Sequence, residues 1–289
     1  MMLSCTAALL LAAVAPATAP APESVAMIIE ASSRVEVRRL SEPSRRRAST
    51  GLRLAGGDSV FVPPGSMIVL LMRTGRMEQL STSLVLPEPR DPPAGLARAA
   101  LRPATPSSAA ERIRPLEGGA APVSPRNAVL VRADEVTFRW LPMPGATGYT
   151  VHLNLPNGQG FARYPVGADT AWTAPAGLLV PGSTYSWTVL AGGGSRVDTP
   201  VTFRVIGDTA WAGVQASLRG HDANVMDTAA RLLLRALTFV EAGLLYDAER
   251  EFRALVESAG DAGGDVGDLH ADVLARLGRG PGSGAVERD

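Results

Sequence analysis

The chain has 289 residues, more than one hydrophobic core usually requires, and this length predicts two or three folded units. Hydrophobic residues make up 46% and charged residues 19%, while 30 glycines and 23 prolines indicate many turns, so we expect β structure joined by ordered spacers. The formal net charge is zero, with 28 basic and 28 acidic residues, and this balance without a basic stripe argues against nucleic-acid binding.

The N-terminal segment MMLSCTAALLLAAVAPATAPAP has an apolar run from Ala7 to Val14, followed by small residues and prolines. This run is too short to span a bilayer, and the pattern predicts a signal peptide over residues 1–17. Cleavage after Ala17 removes Cys5, the one cysteine, so the processed chain has no disulfide or thiolate nucleophile. Lipidation at Cys5 stays open as an alternative. We expect export to the periplasm, with no membrane span after signal removal.

Residues 24–89 contain short strand-like runs, including SVAMIIE, RVEVRRL and MIVLLM, separated by glycine, proline and polar turns. This pattern predicts a small all-β unit. The order GGD (56–58), strand, PGS (64–66), strand and Gly75 resembles the FecR-like periplasmic sensor domain, in which short strands alternate with such turns. The resemblance implies a FecR-like fold and a periplasmic location.

The Gly-Asp pair and the arginine run of this unit each have two interpretations, one structural and one as a ligand-binding site. Gly57 and Asp58 are interpreted as a tight turn, the alternative being an ion- or phosphate-binding loop. Arg45, Arg46 and Arg47 are interpreted as a solvated hairpin tip, the alternative being a site for an anionic envelope polymer.

Residues 90–122 lose the strand alternation and are rich in Pro, Ala, Arg and Gly. A segment with so few large apolar residues has little to bury, so it is predicted to be a linker. We expect it to let the flanking units move independently.

Residues 123–207 contain short alternating strands at a spacing of roughly 8 to 12 residues, which predicts a β-sandwich. The runs VTFRW and YTVHL, and the later L-x-P-G-x-x-Y motif, resemble a fibronectin type III domain. The resemblance implies that the motif forms a tyrosine corner, in which the phenol hydroxyl bonds to nearby backbone. It implies structural roles for Trp140, Tyr149, Leu179, Pro181 and Tyr185.

Exposed aromatic rings are the feature that a sugar-stacking platform needs. Trp172 and Tyr164 are the candidates in this unit. Glycan or peptidoglycan binding through the β units is therefore the alternative function.

From Asp208 the apolar period changes from two to about 3.6, which predicts helices over residues 208–280. The runs MDTAARLLLRALTFVEA and YDAEREFRALVES resemble a tetratricopeptide repeat, which implies structural roles for Phe239, Gly243, Ala248 and Phe252. An incomplete array predicts a protein-binding surface, and we expect it at Leu233, Leu237, Leu245 and Leu255. The alternative is that neighbouring helices cover this stripe. Residues 281–289 are predicted to form a disordered tail.

Motifs of common enzyme classes do not occur in the sequence. It lacks G-x-S-x-G, P-loop and G-x-G-x-x-G fingerprints, and its three histidines do not form a zinc-protease pattern. We therefore expect no enzymatic activity, no cofactor and no metal site.

The expected fold class is multidomain: a small all-β unit, a β-sandwich of fibronectin type III type and one or more C-terminal α-helical hairpins. The predicted function is that of an interaction or scaffold protein of the bacterial envelope, with another envelope protein as partner and a link to sensing left open.

Overall fold

The computed structural model of the protein describes residues 23–101, 122–125, 129–134, 136–154, 161–192, 200–224, 227–259 and 264–277. The signal peptide predicted at 1–17, the part of the predicted linker at 102–121 and the tail predicted at 281–289 lie outside the described residues. In chain order, β-strands of two units precede a region of α-helices. The predicted fold class is therefore confirmed.

The first β unit consists of two four-stranded sheets. The first sheet has the order β4 (Arg53–Ala55), β1 (Ser24–Ala31), β6 (Ile68–Met72), β7 (Met77–Leu80). The second sheet has the order β3 (Arg46–Arg47), β2 (Glu36–Arg38), β5 (Ser59–Phe61), β8 (Leu84–Val85). All neighbouring strands are antiparallel. The two sheets share an apolar core that includes Ile28, Val37, Val60 and Leu70.

Strand β1 is buried on both of its faces. Ala26 and Ile28 belong to the core between the two sheets, whereas Met27 and Ile29 belong to a second apolar cluster that includes the helices. Because successive side chains of a strand point to opposite faces, a strand covered on both sides needs an uninterrupted apolar run. The run VAMII meets that need, and it places the first sheet between its own core and the helical region.

The Gly57-Asp58 pair has the structural role of a turn. Asp58 is 2% exposed, and its carboxylate accepts hydrogen bonds from the backbone N–H groups of Leu40 and Ala55, both at 2.9 Å. Gly57 has a φ of 82°, in the left-handed region that favours glycine. Both carboxylate oxygens of Asp58 are thus used to close the turn.

A short helix, α1 (Leu96–Ala100), lies within the segment that was predicted to be a linker. Ala97 and Ala100 are fully buried, and Arg53 Nε donates a hydrogen bond to the carbonyl oxygen of Ala100 at 2.9 Å. Helix α1 packs against α3 (Thr228–Ala242). The prediction of a linker is therefore wrong for this stretch. Each alanine buries little apolar area, so composition suggested that nothing here would pack, but small side chains let α1 approach α3 closely.

The second β unit has a five-stranded and a three-stranded sheet. The larger has the order β10 (Val129–Val131), β16 (Val201–Val205), β15 (Thr184–Ala191), β12 (Tyr149–Asn154), β13 (Phe161–Gly167). The smaller has the order β14 (Ala171–Thr173), β11 (Thr137–Trp140), β9 (Pro122–Ser124). Strand β10 pairs parallel to β16, and the other pairs are antiparallel. The sheets form the predicted sandwich around Phe138, Trp187 and Phe203, each 0% exposed.

Tyr185 joins the turn before β15 to the core of the sandwich. Its side chain is buried, and its hydroxyl accepts a hydrogen bond from the backbone N–H of Val180 at 2.9 Å. Leu179 is buried beside this turn, Pro181 is exposed on it, and Gly182 has a φ of 79°. The geometry is that of a tyrosine corner.

Trp140 and Tyr149 lie together inside the same sandwich. Their ring centroids are 5.6 Å apart, and both side chains are buried. The Tyr149 hydroxyl accepts a hydrogen bond from the backbone N–H of Met143 at 2.9 Å, so this phenol also fixes a loop.

The helical region consists of α2 (Asp208–Asn224), α3, α4 (Leu245–Ala259) and α5 (Gly264–Arg276). Helix α3 begins after Asp227, whose carboxylate accepts a hydrogen bond from the backbone N–H of Ala230 at 3.2 Å. It ends at Gly243, which has a φ of 79°. Ala248 and Phe252 of α4 are 0% exposed and Phe239 of α3 is 1% exposed, so the hairpin is packed through these residues.

The α3–α4 hairpin connects the two β units. Helix α3 packs against β1 and α1, and α4 packs against β10 of the sandwich. Helix α5 adds a polar contact, because the Asp265 carboxylate accepts a hydrogen bond from the backbone N–H of Arg53 at 2.6 Å and lies 3.7 Å from the Arg39 guanidinium. The expectation that the two β units move independently is corrected, since both are held on the same helices.

Gly51 is expected to be a sensitive position in this docking. It has a φ of 82°, and a Cβ atom added there would lie 2.2 Å from Cγ2 of Val266 on α5. We expect Gly51→Ala to lower the free energy of unfolding by about 3 kcal/mol, from left-handed backbone strain and from overlap with Val266. Chemical denaturation measures this loss.

Gly177→Ala is the matched control. Gly177 has a φ of 80°, but nothing lies within 4 Å of its added Cβ. This variant should lose only the backbone term of about 1–2 kcal/mol. Equal losses in the two variants would contradict the docking of α5 on the first unit.

Candidate functional site

The four leucines predicted to line an exposed apolar groove are buried. Leu233 and Leu237 are 0% exposed, Leu255 is 1% exposed and Leu245 is 7% exposed. All four belong to the apolar cluster that joins the helices to the β units. The expectation of a partner-binding groove at these leucines is therefore corrected. The stripe is covered because α3 packs against β1 and α1 as well as against α4.

Trp172 and Tyr164 meet at one edge of the sandwich. Tyr164 lies on edge strand β13 of the larger sheet, and Trp172 lies on edge strand β14 of the smaller sheet. Their rings stack with centroids 4.5 Å apart and planes inclined by 22°. Both are half-buried, and Trp172 also contacts the core ring of Phe138 at a centroid distance of 5.2 Å. The pair closes the edge between the sheets and keeps part of each ring in solvent.

A cleft of about 240 Å³ lies between the sandwich and helix α4. Strands β9, β10 and β11, with adjacent residues, form one wall, and the first turns of α4 form the other. The lining residues are Ser124, Pro125, Val131, Arg132, Val136, Thr137, Arg139, Tyr246, Asp247, Glu249, Arg250 and Arg253. They include four arginines and two acids, so the lining carries a surplus of positive charge.

Asp247 and Arg132 form the most buried ion pair of the cleft. Their side chains are 11% and 13% exposed, and Arg132 Nη1 lies 3.5 Å from Asp247 Oδ1. Arg250 Nη2 donates a hydrogen bond to the same oxygen at 2.9 Å. The Arg132 guanidinium also lies over the ring of Trp211 on α2, 5.2 Å from its centroid. These contacts fix Arg132 and offset the cost of burying the Asp247 carboxylate.

Glu249 is the second covered acid, with a side chain that is 8% exposed. Arg253 Nε donates a hydrogen bond to its Oε1 at 2.9 Å, and His270 Nε2 lies 3.6 Å from the same oxygen. In contrast, the side chains of Arg250 and Arg253 are 56% and 43% exposed. Arg139 is exposed, and its guanidinium enters no ion pair within the part of the chain that the structure describes. The cleft thus covers both of its acids and leaves three of its four arginines, Arg139, Arg250 and Arg253, exposed to solvent.

Two histidines outside the cleft have perturbed pKa values. The pKa of His152 is lowered from its usual 6.5, chiefly by burial and also by the nearby Arg163 guanidinium. The pKa of His221 is lowered by burial, an effect that the Asp222 carboxylate partly opposes. The pKa of each histidine is lower in the folded chain than the usual 6.5 of an unfolded chain. Above pH 6.5 both side chains are neutral in either state, and their full contribution to folding stability is present. This contribution is lost as the pH falls from 6.5 through the folded-state values.

Among the residues that the structure describes, no cluster of His, Cys, Asp and Glu is arranged to hold a metal ion. Within those same residues, no helix combines the length and apolar character needed to cross a membrane.

The cleft is a site that the sequence did not reveal as a whole. Asp247 and Arg250 are three residues apart, and Glu249 and Arg253 are four apart, so their pairing on one helix follows from spacing. Arg139, however, lies on a strand of another unit. No local periodicity links that strand to α4, since their proximity arises from tertiary packing.

Neither a protein-family model nor a curated protein matches this chain. Among solved structures, an Fn3-like protein from Clostridium thermocellum is 16% identical and covers 30% of this chain and 88% of its own, with a TM-score of 0.23. A fibronectin type III domain derived from human KIAA0970 protein is 19% identical and covers 32% and 73%, with a TM-score of 0.23. A two fibronectin type III domain segment from chicken tenascin is 15% identical and covers 63% and 91%, with a TM-score of 0.22.

Removal of the Arg163 charge tests the coulombic contribution to the lowered pKa of His152, which is smaller than that of burial. Arg163 is the cross-strand partner of His152, and its positive charge disfavours imidazolium formation. We expect Arg163→Gln to raise the pKa of His152 toward 6.5 and to leave that of His221 unchanged, as an NMR titration of the imidazole protons would measure. A His152 midpoint that does not move would contradict this account.

Proposed function

We propose that this protein is a non-enzymatic interaction protein of the bacterial envelope that acts in the periplasm. We further propose that the cleft between the sandwich and α4 recognises an acidic segment of a partner protein. The observation that carries the proposal is the surplus of arginine on a concave surface built by two units. Export is supported by the apolar run over residues 7–14 and the small residues after it.

The family assignments of the first and last units are part of the proposal. For a FecR-like first unit, the support is that Gly57, Gly65 and Gly75 all have positive φ, at 82°, 74° and 82°. For a tetratricopeptide-like hairpin, the support is that Gly243 ends α3 in the left-handed region and that Ala248 is fully buried. Both families are associated with the recognition of other molecules. If the protein has a role in sensing, binding of its partner would be the event that starts the signal.

An acidic ligand fits the division of charge within the cleft. Asp247 and Glu249 are buried and already bonded to arginines, so they offer little repulsion to an incoming carboxylate. A guanidinium carries five N–H donors, so Arg250 and Arg253 can retain their intrahelical contacts and still donate to a ligand. Arg139 adds an exposed guanidinium on the opposite wall. Carboxylates entering the cleft would therefore meet donors from both walls.

Charge reversal at Arg139 tests this recognition. We expect Arg139→Glu to weaken binding of a fluorescent Glu-rich decapeptide about tenfold or more, because an attractive contact becomes a repulsive one. Fluorescence anisotropy at low and moderate salt measures the dissociation constant, with a Lys-rich decapeptide as the probe of opposite charge.

Arg204→Glu is the matched control for that experiment. Arg204 is an exposed arginine on β16 that does not line the cleft, so its reversal changes the net charge equally. We expect at most a twofold effect. If both variants weaken binding to the same extent, the peptide responds to overall charge and the cleft is not the recognition site.

A second candidate function is glycan or peptidoglycan binding at the edge of the sandwich. The observation in its favour is the stacked and half-buried pair formed by Tyr164 and Trp172. An aromatic ring combines an apolar face with, in these two residues, a polar group at its margin. Such a pair can present a surface to the apolar face of a sugar ring.

Substitution of Tyr164 tests the glycan candidate. Tyr164→Ala removes one ring of the pair and should weaken retention on purified insoluble peptidoglycan about tenfold, as a co-sedimentation isotherm would show. Tyr164→Phe keeps the ring and should retain most of the binding. Undiminished retention of Tyr164→Ala, with an unchanged thermal midpoint, would exclude the aromatic pair as the binding surface.

A further inference from the structure

The second sheet of the first β unit has one covered face and one solvent-facing face. Val37 and Val60 point into the core shared by the two sheets. Their neighbours Glu36, Arg38 and Phe61 therefore point to the opposite, outer side. The first sheet has its outer side covered by helices, so among the described residues the outer side of the second sheet is the solvent-facing sheet surface of this unit.

Strand register places arginines and apolar residues together on this outer side. Arg47, Glu36 and Phe61 form one cross-strand row, and Arg38, Ser59 and Val85 form the next. The Arg45 guanidinium lies over the Phe61 ring, 3.7 Å from its centroid, and the Arg38 guanidinium lies 5.8 Å from it. We define the arginine face as Arg38, Arg45, Arg47, Phe61 and Val85.

The charge of the arginine face is positive. Glu36 is the one acid within the four strands of the sheet, and Arg45 Nη1 lies 3.7 Å from its carboxylate. The three arginines of the arginine face and Glu36 together carry a surplus of two positive charges. The Arg45 and Glu36 side chains are 52% and 49% exposed, so their pair remains in contact with water.

The same surface carries large apolar side chains in solvent. Val85 is 63% exposed, and Leu40, two residues after Arg38, is 76% exposed. Leu40 lies against Gly57, two residues before Ser59 of β5, and so borders the arginine face. Four large hydrophobic residues of the described chain are strongly exposed, and two of them lie here.

We propose that the arginine face docks the protein on an anionic phospholipid surface. Guanidinium groups donate to lipid phosphates, while exposed aliphatic side chains enter the boundary between headgroups and acyl chains. Basic and aliphatic groups on an open sheet face suit a fluid lipid surface, which needs no complementary shape. An acidic protein would satisfy the arginines but would leave no specific place for Leu40 and Val85. This docking is independent of the cleft and of its ligand.

Co-sedimentation with vesicles tests the proposal. The chain from Thr18 onward is used because it lacks the apolar N-terminal run, which could itself enter lipid. Vesicles contain 30% phosphatidylglycerol in phosphatidylcholine, and pure phosphatidylcholine vesicles serve as the neutral reference. We expect binding to the anionic vesicles that falls with added salt. Combining Arg38→Gln, Arg45→Gln and Arg47→Gln should reduce the partition coefficient on the order of 100-fold.

The control variant combines Arg76→Gln, Arg90→Gln and Arg98→Gln, which removes three exposed arginines elsewhere in and after the first unit. It should change the partition coefficient no more than a few-fold. Val85→Ser should weaken binding several-fold without a change in charge. Thermal melts establish that each variant is folded.

Three results would overturn the proposal. The first is an unaltered chain that does not bind anionic vesicles, and the second is an equal loss in both triple variants. The third is that the chain binds a Glu-rich peptide through Arg38, Arg45 and Arg47 but does not bind vesicles. That result would make the arginine face a protein-docking surface. If Arg139→Glu does not weaken peptide binding, the proposed cleft function fails, but the vesicle proposal still stands. The cleft and the arginine face share no residue, so each experiment tests its own surface.

Discussion

Packing of the α3–α4 hairpin between the two β units is the interaction on which the rest of the structure depends. Helix α3 lies against β1 and α1, and α4 lies against β10. Burial of a leucine side chain contributes about 1.5–3 kcal/mol, and Leu233 and Leu237 are both 0% exposed. Since helices of this length are marginal alone in water, the β units stabilise the hairpin while the hairpin holds the β units together. The consequence is one continuous apolar cluster from Met27 to Leu277.

The cleft exists because of that packing. Its two walls belong to different units, and an isolated sandwich would leave Arg132 and Arg139 on an open sheet surface. Docking of α4 removes the Asp247 carboxylate from water, which is costly unless a cation lies nearby, and Arg132 supplies that cation. The apolar cluster thus provides the free energy of docking, and the ion pair favours one register of α4 on the sandwich.

Local periodicity predicted the parts of this molecule that depend on neighbours in sequence. The strand alternation around Trp140 and Tyr149 and the helix ends near Gly243 are of this kind, since both follow from backbone geometry. Periodicity does not show which apolar face of a helix packs against which apolar face of a strand. By periodicity alone, the leucine stripe of α3 fits an open groove as well as a covered face. The second apolar side of β1, carried by Met27 and Ile29, covers it. The cleft was missed for the same reason, because proximity between strand and helix is a tertiary property.

The choice of arginine for every basic position shapes both proposed surfaces. A guanidinium stays charged far above neutral pH, stacks on aromatic rings and donates to more than one acceptor. Arg132 over Trp211 and Arg45 over Phe61 use the stacking property, while Arg250 and Arg253 hold carboxylates and remain exposed. Attraction of anions to either surface would therefore weaken as the ionic strength rises. The lowered pKa values of the half-buried His152 and His221 link the folding stability of the chain to pH.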